Sequence, residues 1–206
     1  MQPLIKVCGM TDATNIRAVE ALGVDWMGFV FYARSPRCVT RLPDYLPSRV
    51  RRVGVFVNRP MEEVIEIARQ YRLDYLQLHG KESPAYCHRL KERGYKLIKA
   101  FSIAQKEDFP EADTYEADYY LFDTKTIGYG GSGRQFDWQL LDHYHGTTPF
   151  LLSGGIGPDT AEPVSSFRHP LWAGIDLNSK FEIRPGLKDV DKLRTFITQF
   201  KEKVIL

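Results

Sequence analysis

Residues 4–22 read LIKVCGMTDATNIRAVEAL, and this stretch sets the pattern for the rest of the chain. LIKVC (4–8) is a short, largely apolar run, the mark of a strand buried on both faces. Gly9 follows, Asp12 stands where a helix cap belongs, and DATNIRAVEAL (12–22) spaces its apolar residues at helical intervals. A strand leading through a tight turn into an amphipathic helix is one β/α unit. The same reading recurs down the sequence. WMGFVF (26–31), VGVFV (53–57), YLQLH (75–79), KLIKAF (96–101), YYLFD (119–123), PFLLS (149–153) and WAGIDL (172–177) are further strands. MEEVIEIARQY (61–71) and SPAYCHRLKER (83–93) are helices between them, with Ser83 as a cap and Pro60 and Pro84 suited to first turns. Near-continuous apolar strands alternating with helices describe a parallel sheet covered by helices. Eight such units without a linker predict an α/β fold, a single (β/α)8 TIM barrel occupying 1–206 as one domain. A doubly wound open sheet is the alternative.

Composition narrows the function classes. The chain has 28 Lys and Arg against 26 Asp and Glu, and a net charge of +2 argues for neither a nucleic-acid partner nor a membrane surface. No apolar run approaches the roughly 20 residues that span a bilayer, and MQPLIKVCGM lacks the features of a signal peptide. Cys8, Cys38 and Cys87 are an odd set without C-x-x-C spacing, which points to a reduced, cytoplasmic protein rather than a disulfide or zinc framework.

Alternation splits each strand into two faces. Lys6 and Cys8 share one face of strand one, Gln77 and His79 one face of strand four, and Asp123 opposes Phe122 on strand six. Lys99 opposes Ile98 and Ala100 on strand five. If the apolar faces meet the helices, all these polar residues point into the barrel. Cys8, His79, Asp123 and Asp176 then gather at strand C-terminal ends, where barrels carry their chemistry.

Several chemistries fit those residues. Gly128, Gly130 and Gly133 spell G-x-G-x-x-G, but TKTI (124–127) separates them from the strand and no acid follows at the required distance, so a dinucleotide site is not supported. SGGIGPDT (153–160) places Gly154 and Gly155 directly after a strand, a better phosphate candidate, with the loop NSK (178–180) beside it. Cys8, with Lys6 near enough to lower its pKa, suits an acid/base role better than nucleophilic attack. Arg37, in the arginine-rich FYARSPRCVT (31–40), can clamp a carboxylate or phosphate. His79, Asp123 and Asp176 leave a metal-dependent sugar epimerase open, and a non-catalytic phosphosugar-binding barrel is the alternative from another class. His143 and His145 read as surface residues.

The motifs IKVCGMT (5–11), GFVFYARSPR (28–37), VGVFVN (53–58), LQLHG (76–80), the block from LFDTKT to FDW (121–138), LLSGGIGP (151–158) and IDLNSKFE…PGLKD (175–189) occur in order. Together they closely resemble the phosphoribosylanthranilate isomerase family of tryptophan biosynthesis. The resemblance implies a cofactor-free, metal-free (β/α)8 barrel, a monomer or homodimer, that acts on a small-molecule substrate, phosphoribosylanthranilate. It implies an Amadori rearrangement in which Asp123 is the general acid and Cys8 the general base. Arg37 would bind the anthranilate carboxylate, His79 and Asp176 the sugar, and Gly154, Gly155, Asn178 and Ser179 the phosphate. The stretch 128–133 then reads as a flap over the substrate, anchored by Phe136 and Trp138. Lys180 departs from the pattern, standing where relatives frequently carry glycine.

Overall fold

The computed structural model describes residues 2–111, 114–124 and 138–204. Eight parallel strands close into a barrel: β1 (Leu4–Val7), β2 (Trp26–Val30), β3 (Arg51–Phe56), β4 (Tyr75–Leu78), β5 (Leu97–Ile103), β6 (Tyr119–Thr124), β7 (Phe150–Ser153) and β8 (Trp172–Leu177). They follow one another around the barrel in chain order, and β8 pairs back onto β1 with Lys6 opposite Asp176. Closure leaves no open strand edge, so the open-sheet alternative falls.

Helices α1 (Ala13–Glu20), α2 (Met61–Tyr71), α3 (Pro84–Glu92), α4 (Ala161–Ser166) and α5 (Val190–Val204) cover the outside. Two begin as the sequence suggests: Asp12 accepts from the Asn15 N–H at 2.8 Å and Ser83 from the Tyr86 N–H at 3.2 Å. Pro60 sits at the cap of α2, one position earlier than its fixed φ suggests. Arg72 ends α2 in the left-handed conformation, at φ 49°. Not every strand is followed by a helix. The β2–β3 connection is a chain of turns held by a bridge between Val30 and Cys38, and Pro36, Pro43 and Pro47 remove helical donors along it. The β5–β6 connection carries only a 3-10 turn, Lys106–Asp108. After β8 comes a small antiparallel hairpin that periodicity does not reveal, β9 (Glu182–Arg184) and β10 (Leu187–Lys188), turning at Gly186 with φ 86°.

Two apolar cores result. The larger lies between strands and helices, where Ile5, Val7, Leu76, Leu78, Phe122 and Leu152 meet Ile16, Val64, Leu90 and Phe196. The smaller fills the barrel: Trp26, Val53, Ile98, Ala100, Leu121 and Leu151, with Tyr75 and Tyr119 packed against them. Trp26 stacks on Tyr75 at 4.6 Å between ring centroids and meets Tyr119 edge-on at 5.1 Å, an aromatic plug on the inner wall. One face expectation is overturned here. Ile98 and Ala100 are the inward residues of β5, so Lys99 points out, beneath α3. Its ammonium donates to Gly80 O at 2.8 Å and Leu78 O at 3.1 Å and pairs with Glu82 at 3.3 Å. Among the described residues, no helix is long and apolar enough to cross a membrane.

Candidate active site

At the carboxyl end of the strands a cleft of 320 Å³ is lined by Cys8, Arg37, His79, Asp123, Gly154, Gly155, Asp176, Asn178 and Ser179. The nine residues given catalytic, substrate or phosphate roles from the sequence therefore line one cleft. The β1 face supplies Lys6 and, two residues on, Cys8. Lys6 is fully buried and donates to Asp176 Oδ1 at 2.9 Å across the β1–β8 register. Burial by itself would push this amine toward its neutral form, but the carboxylate outweighs that and holds Lys6 charged, its pKa above the ordinary value.

Cys8 is only 4% exposed. Gly28 on β2 makes room for it, since a Cβ there would lie 2.5 Å from the Cys8 sulfur. Its pKa runs against the expectation that Lys6 would bring it down. Burial pushes the Cys8 thiol up, Lys6 and Lys188 pull it back, Asp176 adds to the rise, and the balance stays above the ordinary 9.0. The physical reason is that the cost of desolvating a thiolate outweighs the pull of Lys6 and Lys188, and the Asp176 carboxylate beside Lys6 offsets part of that pull.

On the opposite wall, Gln77 Nε2 donates to His79 Nδ1 at 2.9 Å. With Nδ1 accepting, the imidazole hydrogen sits on Nε2, which faces Asp123 Oδ2 at 3.7 Å. His79 and Asp123 keep 33% and 35% of their side chains exposed, open to the cleft, whereas Lys6 is fully buried and Asp176 reaches the cleft with only 6% of its side chain exposed. The Gln77 Oε1 atom is buried without a hydrogen-bond partner among the described residues.

Two backbone segments complete the cleft. Gly154 and Gly155 follow β7 with φ 81° and 69°, a conformation that glycine tolerates, and bring main chain to the wall. Beside them, after the neighbouring strand β8, Asn178 precedes the 3-10 turn Ser179–Phe181, and Lys180 of that turn also lines the cleft. Arg37 arrives from the helix-free β2–β3 connection, whereas Arg34 and Arg41 are exposed. His143 and His145 are exposed, as read from sequence. The glycine pattern at 128–133 and Phe136 lie outside the described residues, while Trp138 packs against the outer core. Although His79, Asp123 and Asp176 share the cleft, the described residues contain no group of three or more His, Cys, Asp or Glu placed to hold a metal ion.

Three residues that received no role from the sequence matter here. Glu182 on β9 takes the Arg37 guanidinium, Lys188 on β10 pairs with Glu182 at 2.7 Å, and Gln77 orients His79. Only the run from FE to LKD hinted at the first two. Their separation from Arg37 along the chain leaves no spacing signal.

Comparisons with known proteins agree on one family. Residues 5–199 match the family described as N-(5'phosphoribosyl)anthranilate (PRA) isomerase. The N-(5'-phosphoribosyl)anthranilate isomerase of Parabacteroides distasonis is 58% identical over 204 residues, covering 95% of this chain and 92% of that protein. The structure of phosphoribosyl anthranilate isomerase from Thermotoga maritima matches with a TM-score of 0.82 at 34% identity, over 98% of this chain and 100% of that one. A phosphoribosyl anthranilate isomerase in complex with reduced 1-(o-carboxyphenylamino)-1-deoxyribulose 5-phosphate matches at 0.81 and 32% identity, over 98% and 100% of the two chains.

Proposed function

This chain belongs to the N-(5'-phosphoribosyl)anthranilate isomerase family, and we propose that Cys8 and Asp123 are the base and acid of its reaction. The enzyme converts N-(5-phosphoribosyl)anthranilate to 1-(2-carboxyphenylamino)-1-deoxyribulose 5-phosphate, an Amadori rearrangement in tryptophan biosynthesis. The observation that carries the residue assignments is convergence: four strand-end groups, one arginine and two backbone loops meet in a single cleft.

In this reading Asp123 gives its proton to the furanose ring oxygen. The bond from C1′ to that oxygen breaks as the anilino nitrogen's lone pair closes a C1′–N double bond. The Cys8 thiolate then takes the C2′ proton, and the electrons left behind neutralise the iminium to give an enolamine. Tautomerisation places the ketone at C2′ and an amine at C1′. His79, whose Nε2 hydrogen faces Asp123, and Asp176, locked to Lys6, contact the sugar. Arg37 takes the anthranilate carboxylate, and Gly154, Gly155, Asn178 and Ser179 take the phosphate. A thiol raised by burial must still yield a thiolate, and Lys6 and Lys188 are the two cations that favour it. The chain works as one domain, 1–206, in the cytoplasm, as a monomer or homodimer without nucleic-acid or membrane partners.

The test is direct. Supplied with phosphoribosylanthranilate, the pure folded protein consumes it, and the anthranilate fluorescence of the substrate decays. Absence of turnover overturns the assignment.

A further inference from the structure

Arg37 stands on a connection without a helix, so something other than secondary structure must aim its guanidinium. Locally, only its own N–H is tied down, donating to Ser35 Oγ at 3.1 Å. The side chain is held from across the cleft mouth. Arg37 Nε donates to Glu182 Oε1 at 2.9 Å and Oε2 at 3.1 Å, and Nη2 donates to Oε2 at 2.5 Å. This fork uses the Nε–Nη2 edge of the planar group. Nη1 has no partner among the described residues, and the second edge, Nη1–Nη2, stays available to another carboxylate.

Glu182 is itself over-determined. Besides Arg37 it accepts from Lys188 Nζ at 2.7 Å and the Gly186 N–H at 3.1 Å. Burial works against its charge, but the Arg37 and Lys188 cations more than offset that and hold it at about 2. Lys188, fully buried, also donates to Asn178 Oδ1 at 2.7 Å. With Oδ1 engaged, Asn178 Nδ2 is left without a partner among the described residues, on a side chain that lines the cleft. One buried ion pair on the β9–β10 hairpin therefore touches both the arginine and the asparagine.

We propose that Glu182 is a positioning residue for substrate recognition. It holds Arg37 so that the guanidinium's free edge meets the substrate carboxylate, while Lys188 balances the Glu182 charge from the far side. This rests on the reading of Arg37 as the carboxylate clamp.

The test is a double-mutant cycle on binding of reduced 1-(o-carboxyphenylamino)-1-deoxyribulose 5-phosphate, measured by calorimetry and independent of turnover. Arg37→Ala weakens binding about 100-fold and Glu182→Gln about tenfold, because the amide presents a donor to a cation. The double variant is no more than about twofold weaker than Arg37→Ala. Losses that simply multiply would overturn the positioning role while leaving the clamp intact. If Arg37→Ala binds the analogue like wild type, the clamp reading fails and this inference with it. Kinetically, Glu182→Gln raises KM about tenfold and leaves kcat within about threefold, whereas a fall in kcat at unchanged KM would contradict positioning. Should Glu182→Gln not fold, Glu182→Asp keeps the charge on a shorter arm. It weakens binding about threefold when Arg37 is present and not at all in the Arg37→Ala background, and an equal loss in both backgrounds would overturn the proposal.

Discussion

The tripeptide Leu-Ile-Lys occurs twice, at 4–6 in β1 and at 97–99 in β5, and the two copies face opposite ways. Lys6 points into the barrel and pairs with Asp176; Lys99 points out and pairs with Glu82 under α3. Each is buried, each has a carboxylate, and each exerts its charge on a thiol, Cys8 in one case and Cys87 in the other. Burial pushes Cys87 to about 11, and it is sealed from solvent, whereas Cys8 opens onto the cleft. Residue types and local chemistry are nearly the same on the two sides. What separates the two is the access of the thiol: Cys8 lines the cleft and Cys87 is sealed, even though Lys99 and Glu82 themselves line a separate hollow of about 790 Å³.

The sharpest break in that comparison comes from the thiols. Cys8→Ala is expected to lower kcat by about 10³-fold, as is Asp123→Asn, with little change in Tm. Cys87→Ala should leave kcat within about twofold. Steady-state kinetics beside thermal melts decide both, and a silent Cys8→Ala would dissolve the distinction.

Next come the lysines. Lys99→Met strands Glu82 in the protein and should cost about 3–5 kcal/mol in denaturant unfolding while sparing kcat. Adding Glu82→Gln should recover part of that loss.

Lys6→Met strands Asp176 in the same way and should in addition show itself in the pH profile. With Cys8 as the proposed base, the reactive form is the thiolate, so kcat/KM of the wild type is expected to rise with pH as the raised Cys8 thiol ionises. Removing the cation that pulls this thiol down moves the limb to higher pH, at about tenfold in rate per unit at neutral pH. A limb that stays put would mean that Lys6 serves Asp176 alone.

The smallest effect concerns Glu182. Its folded pKa lies at about 2 against an ordinary 4.5, so its contribution to stability is complete above about 4.5 and is lost as pH falls through that window. Unfolding measured at pH 5 and pH 3 should show a steeper acid loss in the wild type than in Glu182→Gln. Equal slopes would show that the carboxylate is not held by its cations.

Much of this was legible in the residues. The strand runs fell within a residue or two of β1–β8, α2 covers 61–71 as read, and Asp12 and Ser83 cap as expected. The cleft residues were legible because strand-end polar groups are costly without a use. Lys99 was misplaced because Leu97 and Ile98 are both apolar, so alternation has nothing to count in a strand buried on two faces. The β9–β10 hairpin escaped because five residues in two strands carry too little periodicity.

What the sequence determined by itself was the repeating β/α order, and with it the end of the barrel where Cys8, His79, Asp123 and Asp176 would meet. Those follow from local alternation of apolar runs and caps, which short segments encode. Tertiary structure alone decided which way each lysine faces, which carboxylate aims Arg37, and whether a nearby cation overcomes the burial of Cys8. These depend on register between strands and on distances between residues remote in the chain. Their energies are set by the pair of groups brought together and by the water excluded around them, and neither is a property of any one segment.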